Sequence, residues 1–257
     1  MSAPISPSVS VSGAPMLRCR GIVKRFGGLT AVNGVDLDVP AGEVVALVGD
    51  NGAGKSTLVQ LISGVFGFDQ GSIEVDGQPM TFSTPADARA AGIETIYQDL
   101  ALCDNLSAAD NIFLGRELVT RRFGLFPGID TASMREKAHA VLDELHIHIP
   151  DLDAPVRQLS GGQRQAVAIS RAVYWQARLM IMDEPTAALG VPEQRKVMSL
   201  IQVLKARGVP VILISHNMQD VFDIADRVFI MRRGVNVGDF RVADVKPSDV
   251  VNLMIGG

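Results

Sequence analysis

The chain has 257 residues, 47% of them hydrophobic and 20% charged, so it can bury a large core and is not disordered by composition. Its 24 basic residues face 28 acidic ones, which leaves no overall positive field to gather nucleic acid. Two widely spaced cysteines, Cys19 and Cys103, exclude a disulfide scaffold and a thiolate zinc centre and suit a reducing compartment.

Residues 1–15, MSAPISPSVSVSGAP, carry neither a basic leader nor a continuous apolar run and read as a flexible tail rather than a signal peptide or anchor. A single domain is expected over 16–257. Its longest apolar runs, VVALVG and VPVILIS, fall far short of the roughly 18 residues a spanning helix needs. Any membrane association must therefore come through a partner. From Met16 to Gly77 short β-rich runs (LRCRGIV, VDLDV, EVVALVG, SIEVDG) alternate with turns, interrupted by one helix from Lys55 to about Gly64. A short helix from Pro85 ends at Gly92 and precedes the strand ETIYQ.

Over 100–160 strand signals fade and the helical segments SAADNIFL and MREKAHAVLDEL take over, the pattern of an inserted helical subdomain. RRFGLFPGI between them reads as a loop carrying Phe123 and Phe126. After Ser160, helices alternate with the apolar strands LMIMD, VPVILIS and RVFIMRRG, and PSDVVNLMIG forms a last helix. Such alternation with continuously apolar strands predicts a mostly parallel sheet covered on both faces.

The segment from Gly49 to Thr57, GDNGAGKST, fits G-x-x-x-x-G-K-[ST], and an apolar strand enters it while a helix leaves. Glycines at 49, 52 and 54 let backbone N–H groups curl around an anion, with Asn51 and Ala53 between them. The helix start adds its unpaired N–H groups and positive dipole end. Lys55 reaches the β- and γ-phosphates of a nucleoside triphosphate, Ser56 ligates Mg²⁺, and Thr57 completes the helix start.

LSGGQ at 159–163 is a second glycine-rich helix start, with Ser160 as a cap that could also donate to phosphate and Gly161, Gly162 and Gln163 behind it. It is either a structural turn with a cap, a second contact to the same nucleotide, or a contact to a nucleotide held by another subunit. LMIMDE sets Asp183 and Glu184 at the end of an apolar strand, where Asp183 suits Mg²⁺ and Glu184 suits the attacking water. Gln98, after ETIY, could hold metal or water; His216, ending VPVILIS, could bond a γ-phosphate oxygen or the Glu184 region. His139, His146 and His148 are too sparse for a metal site. Arg164 and Arg171 read as solvated or paired surface residues. Phe26, in a short loop after a strand, could stack on adenine, with Val32 and Asn33 lining the same edge.

In that order these motifs resemble the ATP-binding subunit of ABC transporters. The resemblance runs from Leu17 to about Ile255 and rests on Walker A at 49–57, the glutamine Gln98, the signature at 159–163, Walker B at 179–184 and the histidine His216. It implies a P-loop NTPase α/β core, RecA-like with a mostly parallel sheet, an N-terminal antiparallel β subdomain and an inserted α-helical subdomain. It also implies ATP and Mg²⁺ as ligands, Phe26 against adenine, and catalysis by Glu184 with His216, Lys55 and Gln98. A head-to-tail dimer in which LSGGQ of one copy covers the ATP of the other would account for the second loop.

A polytopic permease docking near Gln98, a periplasmic or extracellular sugar-binding protein, and the cytoplasmic face of the inner membrane follow from the same resemblance. STPADARAAGIETIYQDLAL, NIFLGRE and DEPTAALGVPEQ are similar to carbohydrate importers for ribose, xylose or fructose, and the single-domain length to the fructose type. One departure is AALG in place of SALD, with Gly190 where an aspartate would bridge the dimer. A different cargo, a non-transport ATPase acting on nucleic acid or ribosomes, and a binding module without turnover are the competing readings.

Overall fold

The computed structural model describes residues 15–122 and 126–256. In chain order, β1 (Leu17–Phe26) and β2 (Leu29–Val39) form a hairpin, β3 (Val44–Val48) leads through the glycine loop into α1 (Lys55–Ile62), and β4 (Gln70–Val75) and β5 (Gln78–Met80) form a second hairpin. Helix α2 (Pro85–Ala90) precedes β6 (Ile93–Ile96). Then come α3 (Ala108–Phe113), β7 (Val119–Arg122), β8 (Phe126–Ile129), α4 (Thr131–Glu144) and α5 (Gly161–Tyr174). The remainder is β9 (Leu179–Asp183), α6 (Val191–Ala206), β10 (Val211–Ile214), α7 (Met218–Ile224), β11 (Arg227–Arg232), β12 (Val235–Arg241) and α8 (Pro247–Ile255). Among the described residues no helix is long and apolar enough to cross a membrane.

The central sheet has the order β12-β11-β3-β10-β9-β6, parallel throughout except for β12. Because successive strand residues point to opposite faces, each central strand feeds two cores. Val44, Ala46 and Val48 face a core shared with α3 to α8, while Val45 and Leu47 face one shared with β1, β2 and α1. Residues 179–182, 211–214 and 228–231 divide in the same alternating way. The second sheet, β2-β1-β4-β5, is antiparallel and closes the latter core.

Two sequence expectations are corrected. The segment 121–129 is not simply a loop: β7 and β8 pair as an antiparallel hairpin, with Arg122 opposite Phe126. Pro127 is tolerated because only two strands make up this sheet, so every strand is an edge. Phe123 lies outside the described residues, as do residues 1–14 of the expected tail. Phe26 is not in a loop but is the last residue of β1, paired with Leu29. Residues 108–113 and 131–144 are helical as expected. Both start at side-chain caps, Ser107 accepting from Asp110 N and Asp130 from Ser133 N, which satisfy N–H groups the helix cannot.

Candidate nucleotide site

Gly49 and Gly54 have a strict steric reason to be glycine. At Gly49, with φ 153°, a Cβ would lie 2.3 Å from the Met231 carbonyl oxygen; at Gly54, with φ 100°, it would lie 2.5 Å from that of Ala31. The loop is thus pressed between β11 and β2, and only glycine allows the approach. Gly52, also at positive φ, has nothing within 4 Å of a Cβ and faces open space. Gly234 fastens the loop from outside: its N–H donates to the Ala53 carbonyl at 2.9 Å, and its own carbonyl accepts from Asn33 N at 2.8 Å.

A cavity of 530 Å³ opens over this loop. It brings together Asn51, Gly52, Ala53, Gly54, Lys55, Ser56 and Thr57 with Gln98, Asp183, Glu184 and His216, residues spread over more than 160 positions of sequence. Strand order explains the convergence. β3 lies next to β10 and β10 next to β9, so the C-terminal ends that carry Lys55, His216 and Asp183 share one edge of a parallel sheet.

Lys55 is buried, and its Nζ donates to the carbonyls of Gly49 at 2.6 Å and Asp50 at 3.0 Å. Burial pulls its pKa down, while Glu184, Asp183 and Asp50 pull it back up. Burial likewise pushes Asp183 up against the attraction of Lys55 and His216. Glu184 is raised for the same first cause, opposed chiefly by His216. Its backbone sits in the left-handed region at φ 51°, uncommon for a non-glycine residue, and its N–H donates to the Ile214 carbonyl at 2.9 Å. That turn brings Glu184 Oε1 to 3.3 Å from His216 Nε2, and Oε2 accepts from His216 N at 3.4 Å. The Oε1 atom is buried and has no hydrogen bond of good geometry, an unsatisfied acceptor that faces the imidazole.

Among the described residues no group of three or more His, Cys, Asp and Glu side chains could cage a metal. The donor set instead fits Mg²⁺ held by Ser56, Gln98 and Asp183 together with substrate phosphates, the usual arrangement for an ion that keeps few protein ligands. Two desolvated carboxylates beside a single buried lysine supply the charge such an ion would balance.

Other expected residues lie elsewhere. Phe26 is exposed, edge-on to Phe66 at 5.5 Å, and is not among the residues lining the cavity; neither are Val32, which is fully buried, and Asn33. Leu29, Thr30 and Ala31 line that edge instead, together with Arg233 of the β11–β12 turn. Only the turn chemistry of Arg233-Gly234 could have flagged the last of these. Ser160, Gly161, Gly162 and Gln163 start α5 outside the cavity. Ser160 Oγ accepts from Gln163 N at 3.3 Å and Gln163 Oε1 from Ser160 N at 2.9 Å, a reciprocal cap. Arg171, expected at the surface, lines a second cavity of 310 Å³ with Arg89, Glu94, Tyr97, Arg116 and Trp175.

Residues 32–187 match the family model described as ABC transporter. The chain is 48% identical to the fructose import ATP-binding protein FrcA of Rhizobium meliloti, over 94% of each chain. It is 44% identical to the xylose/arabinose import ATP-binding protein XylG of Sulfolobus acidocaldarius, over 93% of each. In three dimensions it is similar to a nucleotide-free ATP-binding cassette from an ABC transporter, with a TM-score of 0.79 and 27% identity over 95% of this chain and 100% of the other. A phosphate loop, a carboxylate pair and a histidine gathered on one sheet edge are what that match leads one to expect, and the chain belongs to the ATP-binding subunits of the ABC transporter family.

Proposed function

We propose that this chain is the energy-coupling ATPase of a monosaccharide importer, working as a head-to-tail pair of copies at the cytoplasmic face of the inner membrane. The carrying observation is that Lys55, Ser56, Gln98, Asp183, Glu184 and His216 line one cavity while LSGGQ lies outside it. A single copy holds the phosphate loop and the base but lacks the second loop over them. A second copy supplies it. Phe26, exposed at the end of β1, is the aromatic available to adenine.

Lys55 and the loop N–H groups absorb charge developing on the terminal phosphates. Glu184, its pKa raised by burial, accepts the proton of the attacking water, and His216 orients the carboxylate from 3.3 Å. Bound Mg²⁺ would polarise the phosphoryl oxygens from Ser56, Gln98 and Asp183.

The cavity with Arg89, Arg116, Arg171 and Glu94 is also lined by Tyr97, the residue before Gln98, and receives a helix of the polytopic permease. Its wall is stiffened by Arg116 stacked 4.7 Å over Trp175. The sugar class rests on the fructose and xylose/arabinose import proteins, which match along nearly their whole length. A periplasmic or extracellular binding protein would deliver the sugar. No nucleic acid is expected as partner.

The test is to isolate the tagged chain from gently solubilised membranes. A polytopic subunit with two copies of this chain, Mg-ATP hydrolysis cut by 10²-fold or more in Glu184→Gln with nucleotide binding kept, and a binding protein titrated by a monosaccharide are expected. Ribosomes or nucleic acid in place of a membrane protein would overturn the reading.

A further inference from the structure

The β11–β12 connection breaks a local rule. Arg232 pairs with Val235, leaving a two-residue loop, and both of its residues have positive φ: 49° at Arg233 and 82° at Gly234. This is the type I′ pattern, whose first position favours Asn, Asp or Gly. The same chain follows the rule in another of its two-residue hairpins. Between β4 and β5, Val75 pairs with Gln78 and the loop is Asp76-Gly77, with φ 49° and 72°. An arginine in that conformation is strained locally, and sequence choices against local preference concentrate at functional positions.

Arg233 is exposed and lines the nucleotide cavity, and no carboxylate lies within ion-pair distance of it among the described residues. Its neighbour behaves differently: Arg232 Nη1 donates to the Leu253 carbonyl at 3.2 Å and pins α8. The turn is held firmly against the phosphate loop by the Gly234–Ala53 and Asn33–Gly234 bonds, so the Arg233 backbone has a fixed place beside the start of α1.

Strand order says which part of the nucleotide it meets. β11 and β10 flank β3 on opposite sides, so the turn and the pair Glu184–His216 lie on opposite sides of the phosphate loop. Leu29, Thr30 and Ala31 share the turn's side of the cavity through the contact of Ala31 with Gly234.

We propose that Arg233 is a nucleotide-binding residue whose guanidinium pairs with the proximal part of the nucleotide, the α-phosphate and ribose, rather than with the γ-phosphate. This rests on the cavity being the nucleotide site. Turn strain is accepted in exchange for a cation at a place where neither Lys55 nor the helix start supplies one.

Arg233→Asn separates binding from structure, because asparagine suits the turn better than arginine. Titrate ADP and a non-hydrolysable ATP analogue into the full chain, and follow thermal unfolding without nucleotide. Both nucleotides should bind roughly threefold to tenfold more weakly, by similar factors, while Tm rises by about 2 °C. Arg233→Lys should retain part of the affinity, since the charge stays and the planar fork is lost. Unchanged binding of both nucleotides, a loss confined to the ATP analogue, or a lower Tm accompanying the loss would each overturn the proposal. Lys55→Ala serves as the reference. If it also leaves ADP binding intact, the cavity is not the nucleotide site and both readings fall; if it abolishes binding while Arg233→Asn does nothing, only the arginine's role falls.

Discussion

Thr186 is buried, two residues beyond Glu184, and its Oγ1 donates to Asp220 Oδ2 at 2.8 Å. Asp220 lies in the first turn of α7, four residues beyond His216. This one bond ties the loop that carries the base to the helix that follows the histidine. Thr186→Val keeps the shape and removes the donor. A hydrogen bond to a buried charged group is worth about 1.5–3 kcal/mol, but Asp220 is only half-buried and water can replace part of the bond, so a loss of about 1 kcal/mol is expected. For a chain of this size that lowers Tm by about 3 °C. Asp220→Ala adds the loss of a negative charge at a helix N-terminus, which a double-mutant cycle cancels. Urea unfolding of the two single variants and the double variant should give a coupling of about 1 kcal/mol. In steady-state ATPase assays Thr186→Val should lower kcat several-fold and leave KM alone, because Thr186 does not line the cavity. Additive stabilities, within about 0.4 kcal/mol, together with an unchanged kcat would refute the brace.

Other perturbations follow from buried charge. Arg227 is 1% exposed and forks onto Asp239, with Nη2 at 2.6 Å and Nε at 3.2 Å, while Nη1 donates to the Asp38 carbonyl at 3.1 Å, joining the central sheet to β2. Arg227→Met strands that carboxylate and should cost about 3–5 kcal/mol by urea unfolding, much of it recovered when Asp239→Leu is added. Burial pushes the Glu94 carboxyl up despite Arg116, Arg171 and Arg89. A raised acid favours folding below its unfolded pKa, and that advantage is lost as pH rises through the folded value. Glu94→Gln should therefore raise Tm at about pH 7.5, with a gap that narrows on acidification and closes near pH 4. Burial also pushes the Cys19 thiol up to about 12, so a thiol reagent near pH 8 should label it only after unfolding, at a rate set by opening of the chain.

The phosphate loop was legible in sequence because its chemistry demands glycines that steric contact then makes obligatory, at Gly49 against Met231 and at Gly54 against Ala31. The buried strands were legible because feeding two cores requires unbroken apolar runs such as VVALV and LMIM. Strand β12 was missed for the opposite reason. VNVGDFR is an edge strand, mostly half-buried, and its glycine accommodates the Phe240 ring 2.4 Å from where a Cβ would sit. The β7–β8 hairpin hid behind a segment whose Gly and Pro read as loop. Leu29, Thr30, Ala31 and Arg233 carry no motif at all; the fold makes them neighbours of the site by setting a hairpin end and a turn against the phosphate loop.

The same distinction applies to LSGGQ. Within one chain its glycines answer to packing: a Cβ at Gly161 would lie 2.7 Å from Leu189 Cδ2, and one at Gly162 would lie 3.0 Å from the Glu193 side chain. Those contacts set the start of α5 directly on the segment between Glu184 and α6. Gln194 holds that segment from the other side, its Nε2 donating to the Leu189 carbonyl at 3.0 Å, and the Thr186–Asp220 bond anchors its beginning. Ser160 meanwhile remains exposed at the tip, outside its own chain's cavity. A phosphate presented to Ser160 by a second copy would therefore act on a helix start already packed against the loop that positions the base. In the proposed dimer, occupancy of one site would bear on the geometry of the other through contacts present in a single chain, whether or not residue 190 carries a carboxylate.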